Sequence, residues 1–463
     1  MTKMKWDKLL SAERERKSTT EELVFRNAFD KDYERVISSS SVRRLQDKAQ
    51  VFPLQENDFT RTRLTHSLEV SSIGRSIGKR VGYMLKDKKL MIDSQDEQLA
   101  SLLAVAGLVH DLGNPPFGHY GEDVIKDWFK KNLQSFGMAD WINDYLYFDG
   151  NAQTIRILSR LQFLQDRSGM NFSYATLGTL LKYPWPSSSD MAKKKEKTGY
   201  FISEKDIIDK ILYTTGMRDK DGIIRRHPAT YLLEAADDIA YLFADLEDAA
   251  KKGHLPWEQV KDKILEVSDK TKAFVKLREY LKETAKRNVD RNIPAKERIL
   301  NEIMAFRVFS QGICIEKICN EFIEKYDIIM EGIYENALLD CSEAKDMISI
   351  VRNICIKYAY RNNEVLSLEL IGKRILTALL DRFITAVADE TNYSNLCHEN
   401  GKLYNLISPN FKYVQYLDEN SKYVKDKELN EHERVQLVVD YISCMTDSYA
   451  LNLHKMLLGM RLP

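Results

Sequence analysis

The sequence predicts an all-α protein, with a multi-helix core and an additional helical C-terminal region. Apolar residues recur at helical spacing over long stretches, as between 61 and 85, where they are Leu64, Leu68, Ile73, Ile77 and Val81. No stretch shows the sustained alternation that a half-buried strand requires, and no internal repeat is visible. A chain of 463 residues exceeds what one simple core usually holds, so we place a boundary between 1–255 and 256–463.

The composition narrows the classes of protein. Hydrophobic residues make up 44% and charged residues 30%, as in an ordinary globular protein. The 69 basic and 69 acidic side chains balance, so no net charge attracts the chain to nucleic acid or to an anionic membrane. The longest apolar run, 99–109, is too short to cross a bilayer, and the first residues lack a signal-peptide core. Six cysteines without a Cys-x-x-Cys pair indicate reduced thiols, hence a cytoplasmic location.

The first half reads as successive helices with clear ends. Serines 38–41 precede a helical run, which is an N-cap signal. Residues 61–85 form one predicted helix, with His66 in its first turn. The next helix, 97–110, stops before Gly-Asn-Pro-Pro (113–116), because proline cannot donate to the helix and clashes with the preceding turn.

Two polar connectors follow. Residues 184–199, Pro-Trp-Pro-Ser-Ser-Ser-Asp-Met-Ala-Lys-Lys-Lys-Glu-Lys-Thr-Gly, offer little to bury and predict a flexible insert; a nucleic-acid patch is the alternative interpretation of its lysines. Residues 215–228 form the second connector. A long helix then runs over 230–252 and ends at Gly253. The rest is helix-rich, with a loop near 390–425.

The stretch 107–122 concentrates residues that bind metals and transfer protons. An apolar helix delivers His110 and Asp111 to a turn, and His119 and Glu122 follow within a dozen residues. A lone His-Asp pair would more often be a core histidine beside a helix-end cap. A helix end does not require the further pair His119 and Glu122, so the stretch predicts a functional site.

The helix 230–252 carries a stripe of polar residues. Asp237, Tyr241 and Asp245 are spaced by four and therefore share a face, whereas Asp238 points about 100° away. An arginine salt bridge is the structural alternative for Asp237, because a buried carboxylate needs a partner. For Asp245 the alternative is an exposed charge on the helix surface. For Tyr241 the alternative is packing in the apolar core.

Two imidazoles and two carboxylates can be assembled from three distant helices. The candidates are His66, His110, Asp111 and either Asp237 or Asp238. Mixed nitrogen and oxygen ligands suit Mn²⁺, Fe²⁺, Co²⁺, Ni²⁺ or Zn²⁺ better than Mg²⁺. A helical bundle can converge such ligands in its core.

Three motifs carry a family resemblance: Thr-His-Ser-Leu-Glu-Val (65–70), His-Asp-Leu-Gly-Asn-Pro-Pro-Phe-Gly-His-Tyr-Gly-Glu (110–122) and Glu-Ala-Ala-Asp-Asp-Ile-Ala-Tyr (234–241). Together they resemble the HD-domain superfamily and, within it, bacterial deoxyguanosine triphosphate triphosphohydrolases. The resemblance extends to 6–16 and 440–447, and so covers most of the chain. The dyad His-Asp is weakly specific, whereas the run 113–122 together with Glu-Ala-Ala-Asp-Asp-Ile (234–239) is strongly specific.

The resemblance implies a role for each matching position. Metal ligands would be His66, His110, Asp111 and Asp237, and the catalytic pair would be His119 and Glu122. Substrate contacts would be Gln50 for the 3′-hydroxyl, Arg63, Lys182 and Tyr183 for the triphosphate, and Tyr241 and Asp245 for the sugar. Tyr241 would close the space beside C2′ against ribonucleotides.

The implied reaction is hydrolysis of dGTP, or of other dNTPs, to deoxynucleoside and inorganic triphosphate by attack at the α-phosphorus. The implied cofactor is one divalent metal per protomer, Mn²⁺ first, with Mg²⁺, Co²⁺, Ni²⁺, Fe²⁺ and Zn²⁺ as alternatives. The resemblance makes 1–255 the HD-type catalytic core. It assigns 256–463 to packing on the core and to oligomer contacts, and implies a homo-oligomer, often a hexamer. Single-stranded DNA is a further candidate partner because of the basic segment 184–199.

Two other functions are compatible with parts of the sequence. An HD phosphodiesterase or nucleotidase usually holds a second metal with additional histidines, and few remain here after His66, His110 and His119. A non-catalytic assembly that binds dNTPs or single-stranded DNA is favoured only by the basic segment 184–199.

Overall fold

The computed structural model describes residues 3–17, 26–52, 54, 60–137, 139–161, 166–418, 420–425 and 427–460. Within these ranges all regular structure is helical, and the only β-pairings are isolated bridges. The predicted all-α class is confirmed. None of the helices in these ranges is long and apolar enough to cross a membrane.

The helices of the described ranges are α1 (Trp6–Leu9), α2 (Ala28–Ile37), α3 (Ser40–Arg44), α4 (Arg63–Asp87), α5 (Gln95–Val109), α6 (Gly118–Lys131), α7 (Asn143–Leu146), α8 (Gly150–Arg156), α9 (Tyr174–Leu180), α10 (Asp190–Lys195), α11 (Lys205–Thr214), α12 (Pro228–Lys251), α13 (Trp257–Lys270), α14 (Leu277–Asp290), α15 (Ala295–Glu324), α16 (Tyr326–Met330), α17 (Leu338–Cys341), α18 (Lys345–Cys355), α19 (Asn363–Ala388), α20 (Glu399–Leu406), α21 (Pro409–Gln415), α22 (Glu431–Ser443) and α23 (Asp447–Leu457). Single π-helical turns follow α8 at Ile157–Leu161 and α18 at Ile356–Tyr360.

The helices predicted to carry the site occur with nearly the predicted bounds. Thr62 caps α4 through a reciprocal capping box with Thr65, which starts the helix just before His66. The chain leaves α5 at His110, and α6 begins only after the Pro-Pro turn. Helix α12 starts with Pro228 in its first turn, where proline loses no hydrogen bond, and Gly253 follows it with φ +77°.

Helices α4 and α5 lie unusually close together. A Cβ on Gly78 would lie 2.6 Å from the Ala100 Cα, so only glycine permits this separation. The close contact brings the start of α4 against the end of α5. His66 and His110 therefore lie side by side, with ring centroids 5.4 Å apart.

Among the described residues, two buried apolar clusters hold the molecule together. The first joins α4, α5 and α12 to α18 and reaches Val414 of α21 and Cys444. The second packs α6 and α7 against α19, α22 and α23. Both clusters combine segments from the two sides of residue 255. The clusters therefore do not separate at 255/256, and the predicted boundary there stays a prediction.

Segment 184–199 has more fixed contacts than its composition suggests. It contains α10, in which Ala192 is fully buried. Its end is anchored where the Thr198 N–H donates to the Tyr147 carbonyl over 2.9 Å and the Trp185 Nε1–H donates to the Lys197 carbonyl over 3.1 Å. The flexibility of this insert remains a prediction, and the loop expected near 390–425 contains α20 and α21.

Candidate active site

The structure brings together the four residues predicted to bind a metal. The Asp237 Oδ1 lies 3.0 Å from the His66 Nε2 and 3.4 Å from the His110 Nε2. Asp111 completes the group, with Oδ1 3.5 Å from the His110 Nε2. Ligand atoms of His66, His110 and Asp111 lie within 4.8 Å of one another. These separations are short enough for one small cation to replace the contacts between the groups.

The histidines present the right atoms for a metal. The His110 Nδ1 lies 2.8 Å from the Gly107 carbonyl, and donation of its proton leaves the lone pair on Nε2 facing the carboxylates. That Nε2 is buried and has no hydrogen-bond partner among the described residues. Burial alone would lower the pKa of His110, but Asp111 and Asp237 outweigh it and raise that pKa. A divalent cation would supply the same positive charge between the carboxylates without a proton.

Asp111 is oriented by two neighbours. The Arg63 Nη1 donates to its Oδ2 over 2.7 Å, and the Asn114 Nδ2 donates to its Oδ1 over 2.5 Å. Arg63 is only 2% exposed. The residue expected to meet triphosphate therefore also binds Asp111. The hydrogen bond from Asn114 to Asp111 was not predicted, because in the sequence Asn114 stands out only as part of the signal that ends a helix.

His119 and Glu122 form the second predicted group. The His119 Nδ1 lies 3.6 Å from the Glu122 Oε2, and the imidazole is 80% exposed to the cleft. Glu122 is buried, and its Oε1 accepts a hydrogen bond from the Gly150 N–H over 3.0 Å. The carboxylate raises the pKa of His119. A fixed buried carboxylate thus favours the protonated form of an imidazole that can reach a ligand.

A cavity of about 300 Å³ opens beside this pair. Five of the predicted site residues line it, namely Gln50, Arg63, His119, Tyr241 and Asp245. The Gln50 Oε1 is buried without a hydrogen-bond partner in the described part of the chain, so it is ready to accept one from a ligand. Tyr360 and Glu369 also line the cavity and were not predicted.

Tyr360 builds one wall of the cavity. Its ring stacks on Tyr241, with centroids 6.3 Å apart and planes 12° apart. Its hydroxyl donates to the Asp245 Oδ2 over 2.7 Å. Asp245 is 1% exposed, and burial raises the pKa of its carboxyl to about 8. The stripe on α12 is therefore a pocket surface and not an exposed charged face.

Lys182 and Tyr183 lie outside that cavity lining, beside an earlier turn of α12. The Lys182 Nζ is 3.4 Å from the Glu234 Oε1, and the Arg226 Nη2 binds Glu234 over 2.5 Å. The Lys197 Nζ lies 5.6 Å from the Tyr183 ring centroid. Glu234 stands one turn before the Asp237 metal ligand candidate, so this cationic group borders the candidate metal centre. In the sequence, Arg226 stands out only as part of a polar connector and Lys197 only as part of a lysine run. Neither was predicted to belong to the site.

Comparison with known proteins identifies two family regions. The HD domain matches residues 63–155, and the phosphohydrolase-associated domain matches residues 405–456. The chain is 38% identical to a deoxyguanosinetriphosphate triphosphohydrolase-like protein of Listeria innocua, over 99% of this chain and 100% of that protein. It is 32% identical to a protein of the same name from Synechocystis, over 99% of this chain and 100% of that protein.

A relative from Yersinia enterocolitica carries the name deoxyguanosinetriphosphate triphosphohydrolase and is 31% identical over 96% of each chain. These matches extend over nearly the full length and include both apolar clusters. They confirm the resemblance drawn from the motifs. The chain belongs to the HD-domain hydrolase family of deoxyguanosinetriphosphate triphosphohydrolases and triphosphohydrolase-like proteins.

Proposed function

We propose that this protein hydrolyses dGTP, and other dNTPs less well, to deoxynucleoside and inorganic triphosphate by attack of water at the α-phosphorus. The observation that carries the proposal is the convergence of His66, His110, Asp111 and Asp237 beside a cavity that His119 enters. The names of the relatives support the same reaction.

The four converging residues would hold one divalent cation. The unpartnered His110 Nε2 supports this assignment, and the nitrogen and oxygen donors favour Mn²⁺ over Mg²⁺. When bound, such a cation supplies Lewis-acid activation of the attacking water. Arg63 and Asn114 keep the Asp111 oxygens in place for it.

His119 holds or moves a proton at the α-phosphoryl group. Its imidazole is exposed to the cleft, whereas Glu122 is buried and fixed by the Gly150 N–H. The carboxylate raises the pKa of His119 and so favours the protonated imidazole beside a negatively charged phosphate. Glu122 acts through His119 and does not face the cleft.

The cationic group beside α12 would bind the triphosphate. A triphosphate carries roughly four negative charges, which lysine and arginine side chains neutralise and orient. Lys182, Lys197 and Arg226 lie around Tyr183 and Glu234, one turn from Asp237. The triphosphate would replace Glu234 as the partner of Lys182 and Arg226, and Asp149 as the partner of Lys197.

The cavity fits the sugar and base. Gln50 and Asp245 would offer polar atoms to the 3′-hydroxyl, and Tyr241, stacked on Tyr360, would close the space beside C2′ against a 2′-hydroxyl. Glu369 places a carboxylate in the same cavity. A carboxylate accepts hydrogen bonds from the adjacent N–H donors of guanine, which adenine and the pyrimidines do not present in that arrangement. We therefore expect dGTP to be preferred.

The proposal is tested by product analysis. The protein is incubated with Mn²⁺ and each of the four dNTPs or GTP, and products are separated by anion-exchange chromatography. Deoxyguanosine plus triphosphate is the expected result, with little reaction of GTP. Release of dGMP plus pyrophosphate would overturn it, and so would an absence of turnover alongside tight, salt-dependent binding of single-stranded DNA.

The metal assignment has its own test. Equilibrium dialysis against Mn²⁺ should give one high-affinity ion per protomer, and His110→Ala should abolish it together with turnover. His454→Ala, on α23 and away from the site, is the matched control and should retain the ion. Two tightly bound ions per protomer would instead favour the phosphodiesterase interpretation. A homo-oligomer, single-stranded DNA binding and a cytoplasmic location stay predictions.

A further inference from the structure

Asp447, at the start of α23, connects two segments of the candidate site. Its Oδ2 accepts a hydrogen bond from the Ala49 N–H over 2.9 Å, and its Oδ1 accepts one from the Phe117 N–H over 2.9 Å. Ala49 directly precedes Gln50, and Phe117 lies two residues before His119. One buried carboxylate, 2% exposed, therefore spans the pocket segment and the beginning of α6.

Lys48 makes a parallel connection. Its Nζ donates to the Asn114 carbonyl over 2.5 Å and to the Ser443 carbonyl over 3.0 Å. Asn114 in turn donates to Asp111. The residues just before Gln50, the turn 114–117 and the segment 443–447 thus share four hydrogen bonds. Both bonds of Asp447 go to backbone groups, so they determine where the chain lies and not only where a side chain points.

The turn before α6 needs such support. Phe117 has φ +64°, a left-handed conformation that is strained for a residue with a side chain. Its amide would otherwise be a buried donor without a partner. The Asp447 carboxylate satisfies the amide in the conformation that starts α6 two residues before His119.

We propose that Asp447 is a positioning residue, which holds Gln50 and His119 at a fixed separation across the cavity. This inference rests on the proposed function of His119. It gives the phosphohydrolase-associated region, 405–456, a role in the reaction: it supplies the acceptor that aligns a substrate contact with the catalytic imidazole.

The test is a double-mutant cycle with a second readout. Asp447→Asn keeps one acceptor but places an amide N–H₂ against the other backbone N–H. We expect it to lower kcat for dGTP at least 10-fold in the wild-type background and less than 2-fold in a His119→Ala background, because the imidazole it positions is then absent. Ser448→Ala removes a hydroxyl that donates to Asp47, and this matched control should leave kcat unchanged.

Hydrogen exchange of the peptides containing residues 47–50 and 115–120 supplies the readout that needs no turnover. Exchange should accelerate in Asp447→Asn and stay unchanged in Ser448→Ala. Equal losses of kcat in both backgrounds, or unchanged exchange, would overturn the proposal. If the wild-type protein releases no triphosphate, the proposed function fails, whereas the exchange result still decides whether Asp447 holds the two segments.

Discussion

The imidazole of His119 lies beside a buried carboxylate, that of Glu122. Glu122 raises the pKa of His119, so removal of its charge should lower that pKa. In Glu122→Gln we expect kcat/KM to fall on the order of 10²-fold. The limb of the pH profile that reports His119 should move to lower pH. An alkaline limb that moves identifies a general acid, and an acidic limb that moves identifies a general base.

The control for this prediction is Asp123→Asn. Asp123 is the next residue, is 64% exposed and pairs with Lys126 on the outer face of α6. Its profile should coincide with that of the wild type. A Glu122→Gln profile with both limbs unmoved would contradict the assigned pairing. Steady-state kinetics from about pH 5.5 to 10 at saturating Mn²⁺ provide the measurement.

At the scale of single residues, local signals predicted the metal ligand candidates but not the cavity walls. His66, His110, Asp111 and Asp237 stand in motifs whose residue types and helical spacing indicate metal chemistry. Tyr360 ends a π-helical turn more than a hundred residues after Tyr241, and its stacking depends on how α18 packs on α12. Spacing along a chain contains no information on which distant helix covers a given face. Pocket residues from the second half were therefore missed.

At the scale of helices, the α4–α5 contact sets the distance between His66 and His110. Gly78→Ala places a Cβ 2.6 Å from the Ala100 Cα, where backbone must move. We expect a loss of about 1–3 kcal/mol in the free energy of unfolding. We also expect weaker Mn²⁺ binding, because a wider α4–α5 separation moves the two imidazoles apart. Urea denaturation and Mn²⁺ dialysis measure the two effects.

Gly312→Ala, within α15, is the control for this prediction. Among the described residues, no atom lies within 4 Å of the point that an alanine Cβ would occupy there, so the substitution meets no obstacle. Replacement of glycine by alanine in an open helix stabilises by up to about 1 kcal/mol. Equal stability changes in Gly78→Ala and Gly312→Ala would show that the close helix contact does not constrain the site.

Segment 184–199 is predicted to be flexible from its composition, but its contacts attach it to the rest of the chain at several points. Its proline, serine and lysine content is typical of an exposed loop. However, Thr198 is fully buried, and its amide binds the Tyr147 carbonyl. A few buried residues and a few hydrogen bonds anchor a segment without changing its average composition. A composition argument therefore predicts that the segment is irregular, but not how it is attached.

At the scale of the whole molecule, the site lies where the two apolar clusters meet. The metal ligand candidates stand on α4, α5 and α12 of the first cluster, whereas His119 stands on α6 of the second. The relative position of the clusters therefore decides whether the imidazole faces the metal centre. That dependence could not be predicted from the sequence, which suggested a division at residue 255 between a catalytic and an accessory half.

The buried pair of Arg156 and Asp440 joins the two clusters. Arg156 donates from Nε and Nη2 to the two oxygens of Asp440 over 2.7 Å each, and from Nη1 to Glu204 over 2.7 Å. Asp440→Asn removes one of the two carboxylate charges that compensate the buried guanidinium, the other being that of Glu204. We expect a loss of about 3–5 kcal/mol in the free energy of unfolding, measured by urea denaturation. The exposed Arg278–Asp269 pair is the control, and Asp269→Asn should leave the stability unchanged.

Measurements of activity show whether the Arg156–Asp440 pair positions the site or only stabilises the fold. Below the unfolding transition, Asp440→Asn should retain the Mn²⁺ stoichiometry, because no metal ligand candidate bonds to Asp440. Its kcat should fall, since a looser contact between the clusters lets α6 move relative to α5 and α12. If kcat per folded molecule equals that of the wild type, the pair contributes stability alone, and α6 is held in register by the turn 114–117 and its bonds to Lys48 and Asp447.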